Sequence, residues 1–454
     1  MLPTLALIAF FPIVVLCFLA LRPHRALIVT VVFGYLFLPE DVKLIFTGLP
    51  DLTKLTTISL AAILGVIIFD SRKILTFRPR LIDMPILVFC IGPFFTALAN
   101  DFSWYVGVSQ VNVQILNWGA LYFLGRIYFI DLEKQKDLAY GVLVGALIYM
   151  PLCWLEMALS PQLHNWIYGY HASAFHMTNR FGGYRPVVFL KYGLSVGIFI
   201  ASGALIAWCF WRSRTVRSIW DLPIGAIAIL LIITTFLNRS LTAVLLFLMF
   251  LLSLLITQRF RTRVILNALI CLPLLYAVNI SFFGIGSTQA VTAVDAVIGQ
   301  RAGSLKTRFV NQTRLADKAF ERPLLGWGAF GASRVYGEQG QDITLYDGRW
   351  IIILGTQGTV GLIAYYFAFL LPAAIIVRKI SPTIWMTPQV GPAISVVALV
   401  VMYMLDMCLN GYITPIFVLA AGALATLAHR LIQQPSDRNL HASAPPRLTK
   451  HSRS

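Results

Sequence analysis

The chain has 454 residues, 58% of them hydrophobic and 12% charged, with a formal net charge of +17. Soluble domains are nearer about a quarter charged, whereas apolar stretches of about 20 residues, which a hydrocarbon core roughly 30 Å thick asks of a helix, recur along most of this sequence. That excludes a water-soluble fold. It also removes nucleic acid as the reason for the charge, since the cytoplasmic loops of membrane proteins collect Lys and Arg.

Hydropathy predicts 12 or 13 spans, near residues 2–21, 26–38, 55–69, 84–99, 105–125, 138–159, 187–211, 222–237, 240–257, 264–283, 350–377, 389–405 and 412–428. The first lacks a basic start and a small-residue cleavage site, so it is read as a retained span and not a removed signal peptide. The second is short. The fifth carries Gln110, Asn112, Gln114 and Asn117, which must face protein or water. All six cysteines lie in apolar segments and read as small core residues. The expected fold class is all-α and polytopic: one transmembrane domain over 1–430, a long, partly helical outer loop at 284–349 within it, and a disordered cytoplasmic tail over 431–454.

Orientation follows from the connections. Basic clusters at 22–25, 72–80, 126–136, 212–217, 259–263, 378–379 and after Arg430 alternate with connections that carry few cations. The positive-inside rule puts the clusters in the cytoplasm and, with 13 spans, the N-terminus outside an inner (plasma) membrane. Two outer segments break the pattern: 160–186, with three histidines and two arginines, and 284–349. The latter sets Arg301, Lys306, Arg308, Arg314, Lys318, Arg322, Arg334 and Arg349 against Asp295, Asp317, Glu321, Glu338, Asp342 and Asp347. An anionic ligand is the obvious reason for a basic loop on the outer side. Within it, Ser304 to Glu321 reads as a helix, with Leu305, Phe309, Ala316 and Phe320 on one stripe and Arg314, Lys318 and Arg322 on another. The cationic stripe suits a solvated or headgroup-binding face as well as a ligand site.

The segment Arg314-Leu-Ala-Asp-Lys-Ala-Phe-Glu-Arg-Pro-Leu-Leu-Gly-Trp-Gly-Ala-Phe-Gly331 is followed by a polar stretch, by Asp347-Gly-Arg-Trp350, and by Ile-Ile-Ile-Leu-Gly-Thr-Gln-Gly-Thr-Val-Gly361 entering a span. Upstream lie Arg180-Phe-Gly-Gly183 with Arg185-Pro, and Asn238-Arg239-Ser240 between two spans. This order resembles the bacterial O-antigen ligase and O-antigen (exopolysaccharide) polymerase superfamily over about residues 180–377. The resemblance implies a GT-C-like, metal-independent glycosyltransferase without a cofactor. Its donor would be a polyprenyl-diphosphate-linked oligosaccharide taken at the outer, periplasmic face. Its acceptor would be a growing polysaccharide chain for a polymerase, or a lipid A core for a ligase. A flippase and a chain-length regulator are the implied partners.

Two departures matter. Asn238 stands where the family's Ser-Arg motif has Ser, and Asp347 stands where ligase members commonly have a histidine. The second favours a polymerase. Asp347 then becomes the group that activates or orients the acceptor hydroxyl, although a turn with Gly348 or a pair with Arg349 would equally account for it. Arginine suits a diphosphate leaving group, because its planar fork binds phosphate oxygens and keeps its charge. Arg180, Arg239 and Arg314 are therefore expected at the diphosphate, Arg180 and Arg314 beside Asp347 as the catalytic set. Arg185, Arg239, Arg308, Lys318, Arg349, Trp350 and His176 are expected to bind substrate. Arg239 equally fits a side chain that reaches out to the interface. Gly355, Gly358 and Gly361 are read as allowing close helix packing. Two rivals stay open. One is a transporter, though no repeat between the halves is visible. The other is a metal-dependent GT-C enzyme using Glu40-Asp41.

Overall fold

The computed structural model describes residues 1–46, 50–180, 182–283, 302–328 and 330–433. The helices run α1 Leu2–Ala20, α2 Pro23–Phe37, α3 Lys54–Thr76, α4 Met84–Ala99, α5 Trp104–Gln114, α6 Ala120–Tyr128, α7 Leu132–Leu159, α8 Leu163–Tyr168, α9 Gly193–Ser213, α10 Ile224–Leu237, α11 Leu241–Phe260, α12 Val264–Val278, α13 Ala302–Phe320, α14 Arg349–Lys379, α15 Gly391–Asp406 and α16 Pro415–Gln433. Two minimal hairpins, β1 Asn179–Arg180 with β2 Gly183–Tyr184 and β3 Ser218–Ile219 with β4 Leu222–Pro223, lie in connections. Arg301, Asp295 and the rest of 284–301, Phe181, Ala329 and the tail from 434 lie outside the described residues.

Among the described residues, eight helical stretches are long and apolar enough to cross a membrane: α1, Leu81–Ala99, α7, α9, α11, Val264–Ser281, α14 and α16; α2, α10 and α15 are shorter apolar helices. The protein is therefore an all-α, multi-pass membrane protein. Its surface agrees. Leu5, Ile8, Leu16 and Leu19 of α1 and Leu245 and Leu252 of α11 stand exposed, where water would penalise them and lipid would not. The centre is built from α9, buried on nearly every side, and from α14, α15 and α16. α6 and α16 touch backbone to backbone at Gly125 and Gly422: a Cβ on Gly422 would collide with the carbonyl oxygen of Tyr122.

Long-range bonds sort the connections onto two ends. At one end Arg25 bonds Asp137, Arg126 bonds Asp83 and Thr426, and Arg263 bonds the Arg378 carbonyl. At the other, Lys54 reaches Glu40 and the Phe189 carbonyl, Lys191 reaches Asp41, and Arg185 reaches the Arg239 carbonyl. The second end holds both long connections, 160–192 and 302–348, and is called the long-loop end below.

Three expectations need correction. The span drawn at 187–211 starts at Gly193, because the Val187 and Val188 amides are held by the Glu156 carboxylate at 2.8 and 2.7 Å, outside any helix. Asn112 stands exposed, while Gln110, Gln114 and Asn117 face a cavity beside the π-helical turn Ile115–Gly119 that joins α5 to α6. Gly358 breaks α14 instead of packing it, with φ 64° and ψ −164°, a region open to glycine alone. The break releases the Gly355 and Thr356 carbonyls and the Thr359 and Val360 amides. Residues 323–328 fill it: Trp327 and Gly328 donate to Gly355 and Thr356, and Thr359 and Val360 donate to Pro323 and Leu324. The Pro-Leu-Leu-Gly-Trp-Gly run and the glycine-spaced span entrance thus form one unit, which satisfies the backbone of a broken helix. Gly358→Ala is expected to cost on the order of 1–3 kcal/mol in backbone strain, and more from the clash of its Cβ with the Leu324 carbonyl. A lowered melting midpoint of the purified protein in detergent is the readout.

Candidate functional site

A cleft of about 630 Å³ opens at the long-loop end. Its wall includes Arg180, Arg185, Lys191, Arg308 and Arg349, with Asp347 among them, and Tyr346 and Tyr412 beside these. The sequence spreads these groups from Arg180 to Tyr412. Three local devices bring them together.

The first is the turn after α15. Its carbonyls form a rack: Leu409 accepts from Arg308 at 3.1 Å, Gly411 accepts from the Arg349 guanidinium, and Cys408 accepts from Gln312 at 3.0 Å and from the Trp350 indole at 3.2 Å. Met407 and Asn410 take the Arg349 amide at 2.9 Å. Buried Asp406 holds the turn by accepting from Asn410 at 2.8 Å and from the Tyr412 hydroxyl. The second is Gln312, one turn along α13 from Arg308 and fully buried, which donates to the Asp347 carbonyl and accepts from Tyr276 at 2.7 Å. The third is Glu156 at the end of α7. It accepts three backbone N–H groups, from Leu163 at 3.0 Å and from Val187 and Val188, and so anchors the segment carrying Arg180 and Arg185. The sequence reading singled out none of Glu156, Asp406 and Gln312. For Gln312, the i+4 offset from Arg308 was the available signal.

The electrostatics are those of a cationic cleft with one carboxylate in its wall. Burial, then the neighbouring Arg180 and Arg308, push Arg185 down to about 10, which still leaves it charged at neutral pH. Its guanidinium donates to the Arg239 carbonyl at 2.7 and 3.2 Å. Burial pushes the Asp347 carboxyl up, and Arg308, 3.8 Å away, pulls it partly back. A carboxylate of raised pKa on the wall of a cationic cleft has the properties of a general base.

The other expected site residues lie elsewhere. Arg239, with φ 53°, donates to the Arg180 carbonyl at 2.7 Å and packs against Gly183, so it braces the Arg180 hairpin from behind. Trp350 is buried against Tyr276. Arg314 and His176 are exposed and outside the cleft wall. Lys318 pairs with Glu321 at 2.6 Å and sits over the Trp327 ring, which Arg322 also covers. Lys318 and Arg322 therefore clamp the 323–328 segment, and Arg308, on a different face of α13, reaches the cleft. Glu40 pairs with Lys54 at 2.9 Å and Asp41 with Lys191 at 2.6 Å. Among the described residues no three His, Cys, Asp or Glu side chains gather as a ligand set for a metal ion.

A second cavity, of about 320 Å³, lies on the far side of Arg349 and Ile352, which line both. Gln110, Gln114, Asn117 and Gln357 give it an uncharged polar wall, and Trp118 an aromatic one.

No protein-family model matches the chain, and no curated protein matches it.

Proposed function

We propose that the protein is a membrane glycosyltransferase that joins polyprenyl-diphosphate-linked oligosaccharide repeat units into a polysaccharide, at the periplasmic face of the bacterial inner membrane. The observation that carries this reading is the cleft: four arginines and a lysine around one carboxylate of raised pKa, at the end opposite the basic connections. A diphosphate places about two negative charges where these cations stand. Arginine forks aimed at it stabilise charge that grows as it leaves.

The reaction then follows from the residues. The acceptor hydroxyl oxygen attacks the anomeric carbon of the donor and its proton passes to the Asp347 carboxylate. The bond from the anomeric carbon to the diphosphate oxygen breaks, and the lipid diphosphate departs with the electron pair towards Arg180, Arg185 and Arg308. Arg239 positions Arg180. Transfer to a lipid A core by a ligase is the second reading, and Asp347 in place of a histidine ranks it second. A transporter would also use a broken helix such as α14, but residues 323–328 close that break with backbone hydrogen bonds.

The test is polymer length on gels from cells carrying Arg180→Ala or Asp347→Asn at matched membrane levels. Single repeat units without long chains are expected in both. Chains near wild-type length are expected for Arg314→Ala, whose side chain stands outside the cleft. Normal chains in both cleft variants would remove the site, and unchanged polymer in a full deletion would return the transporter.

A further inference from the structure

We propose that the second cavity is a saccharide subsite, taking an uncharged segment of glycan that continues past Arg349 from the cationic cleft. This rests on the reading of the cleft as a lipid-diphosphate site, and extends it to the part of the substrate that carries no charge. Three buried polar atoms in the cavity wall have no hydrogen-bond partner in the protein: the Asn117 Oδ1, the Gln357 Oε1 and the Arg349 Nε. Gln357 is 7% exposed. Neither the Asn117 amide nor the Gln357 amide makes a hydrogen bond among the described residues, so both keep hydrogen-bonding capacity for a polar group from outside the chain.

The chemistry of the wall selects the ligand. The amides of Gln110, Gln114, Asn117 and Gln357, each with a donor and an acceptor, match hydroxyl groups, which both donate and accept. Trp118, 2% exposed and packed against Phe89 at 5.6 Å and Tyr365 at 5.6 Å, makes that wall rigid. No carboxylate lines the cavity, which disfavours a cation. Its one cation, Arg349, is held by the Gly411 carbonyl, and its Nε is buried without a partner. The site is also built. Gln357 lies one residue before the break at Gly358, and Thr356 and Gly328, bonded to each other across that break at 3.1 Å, form the adjoining wall. Asn117 lies on the π-helical turn after α5 and Gln357 beside the break in α14, so two irregular backbone segments contribute amides to the cavity wall.

The experiment uses the full chain in lipid nanodiscs and two probes. One is a fluorophore-tagged oligosaccharide of one to three repeat units, freed of lipid by mild acid from the host's own surface polysaccharide. The other is farnesyl diphosphate, which carries the charge of the donor without the sugar. Binding of the oligosaccharide is expected to weaken about tenfold or more in Asn117→Leu and in Gln357→Leu, the loss of a buried hydrogen bond to a hydroxyl. Farnesyl diphosphate binding is expected to stay within about twofold, which also reports folding. Oligosaccharide that fails to bind wild type, or binds the variants equally well, overturns the subsite even if farnesyl diphosphate binds. Absence of farnesyl diphosphate binding instead strikes the cleft reading, while the oligosaccharide series still decides the cavity. If a leucine variant loses both probes, Gln114→Leu, at a half-exposed position on the wall, decides by the same criterion. Intact lipid-linked repeat unit that displaces the oligosaccharide assigns the subsite to the donor; simultaneous binding assigns it to the acceptor chain.

Discussion

Arg308→Ala is expected to lower the rate of glycan transfer by about 10²- to 10³-fold, the usual loss when one preorganised donor to a developing negative charge is removed. Arg308 has this weight because of where it is held. It lies on the inner face of α13, its Nη1 donates to the Leu409 carbonyl, and its Nε is 3.8 Å from the Asp347 carboxylate. Arg308→Lys keeps the charge and loses the fork, so an intermediate loss is expected. The same variant predicts a pH effect of definite sign. Asp347 must be ionised to take the acceptor's proton. Burial raises its pKa and Arg308 lowers it, so removing Arg308 raises it further. The acid limb of the pH–rate profile should move to higher pH in Arg308→Ala, measured with purified protein and a lipid-linked donor. A profile that keeps its acid limb in place would show that Asp347 is not the base.

Arg126→Ala is expected to destabilise the folded protein by about 3–5 kcal/mol, because it strands a buried carboxylate. The Arg126 Nε and Nη2 donate to Asp83 at 2.6 and 3.0 Å, and Nη1 donates to Thr426 at 3.1 Å. Asp83 is 0% exposed and Arg126 4%. The pair ties the start of α4 and the end of α6 to α16, far from the cleft and at the opposite end of the molecule. Unfolding in mixed detergent and SDS micelles gives the number. Asp83→Leu combined with Arg126→Met should recover most of the loss, since apolar replacement of both partners leaves no unpaired charge. A double variant as unstable as Arg126→Ala would mean that the bond to Thr426, and not the stranded charge, dominates.

The membrane class was legible before any coordinate. Each of the 13 apolar segments falls on a helix, and α13 at Ala302–Phe320 lies two residues from its predicted limits at the start and one at the end. Helical periodicity and hydropathy are local properties, and local sequence specifies them. The alternation of basic connections with those that carry few cations also matches the two ends that the long-range bonds define. The site was legible in part. Arg180, Arg185, Arg308, Asp347 and Arg349 do meet in one cleft, because charges on one side of a membrane have few other places to gather. Arg314 was misplaced because stripe reasoning finds which residues share a helix face and not which face turns inward. Here Leu315, Ala316 and Ala319 turn inward with Gln312, which leaves Arg314 outside.

Composition and hydropathy alone thus determined an all-α membrane protein with one long basic connection. Only the tertiary structure decided which cations share a cleft, that Gly358 breaks α14, and that residues 323–328 mend it. The reason is physical. A span forms wherever about 20 apolar residues follow one another, whereas a carbonyl rack at 407–411, a three-amide clamp on Glu156 and a cavity between α5 and α14 exist only once segments far apart in the chain have packed.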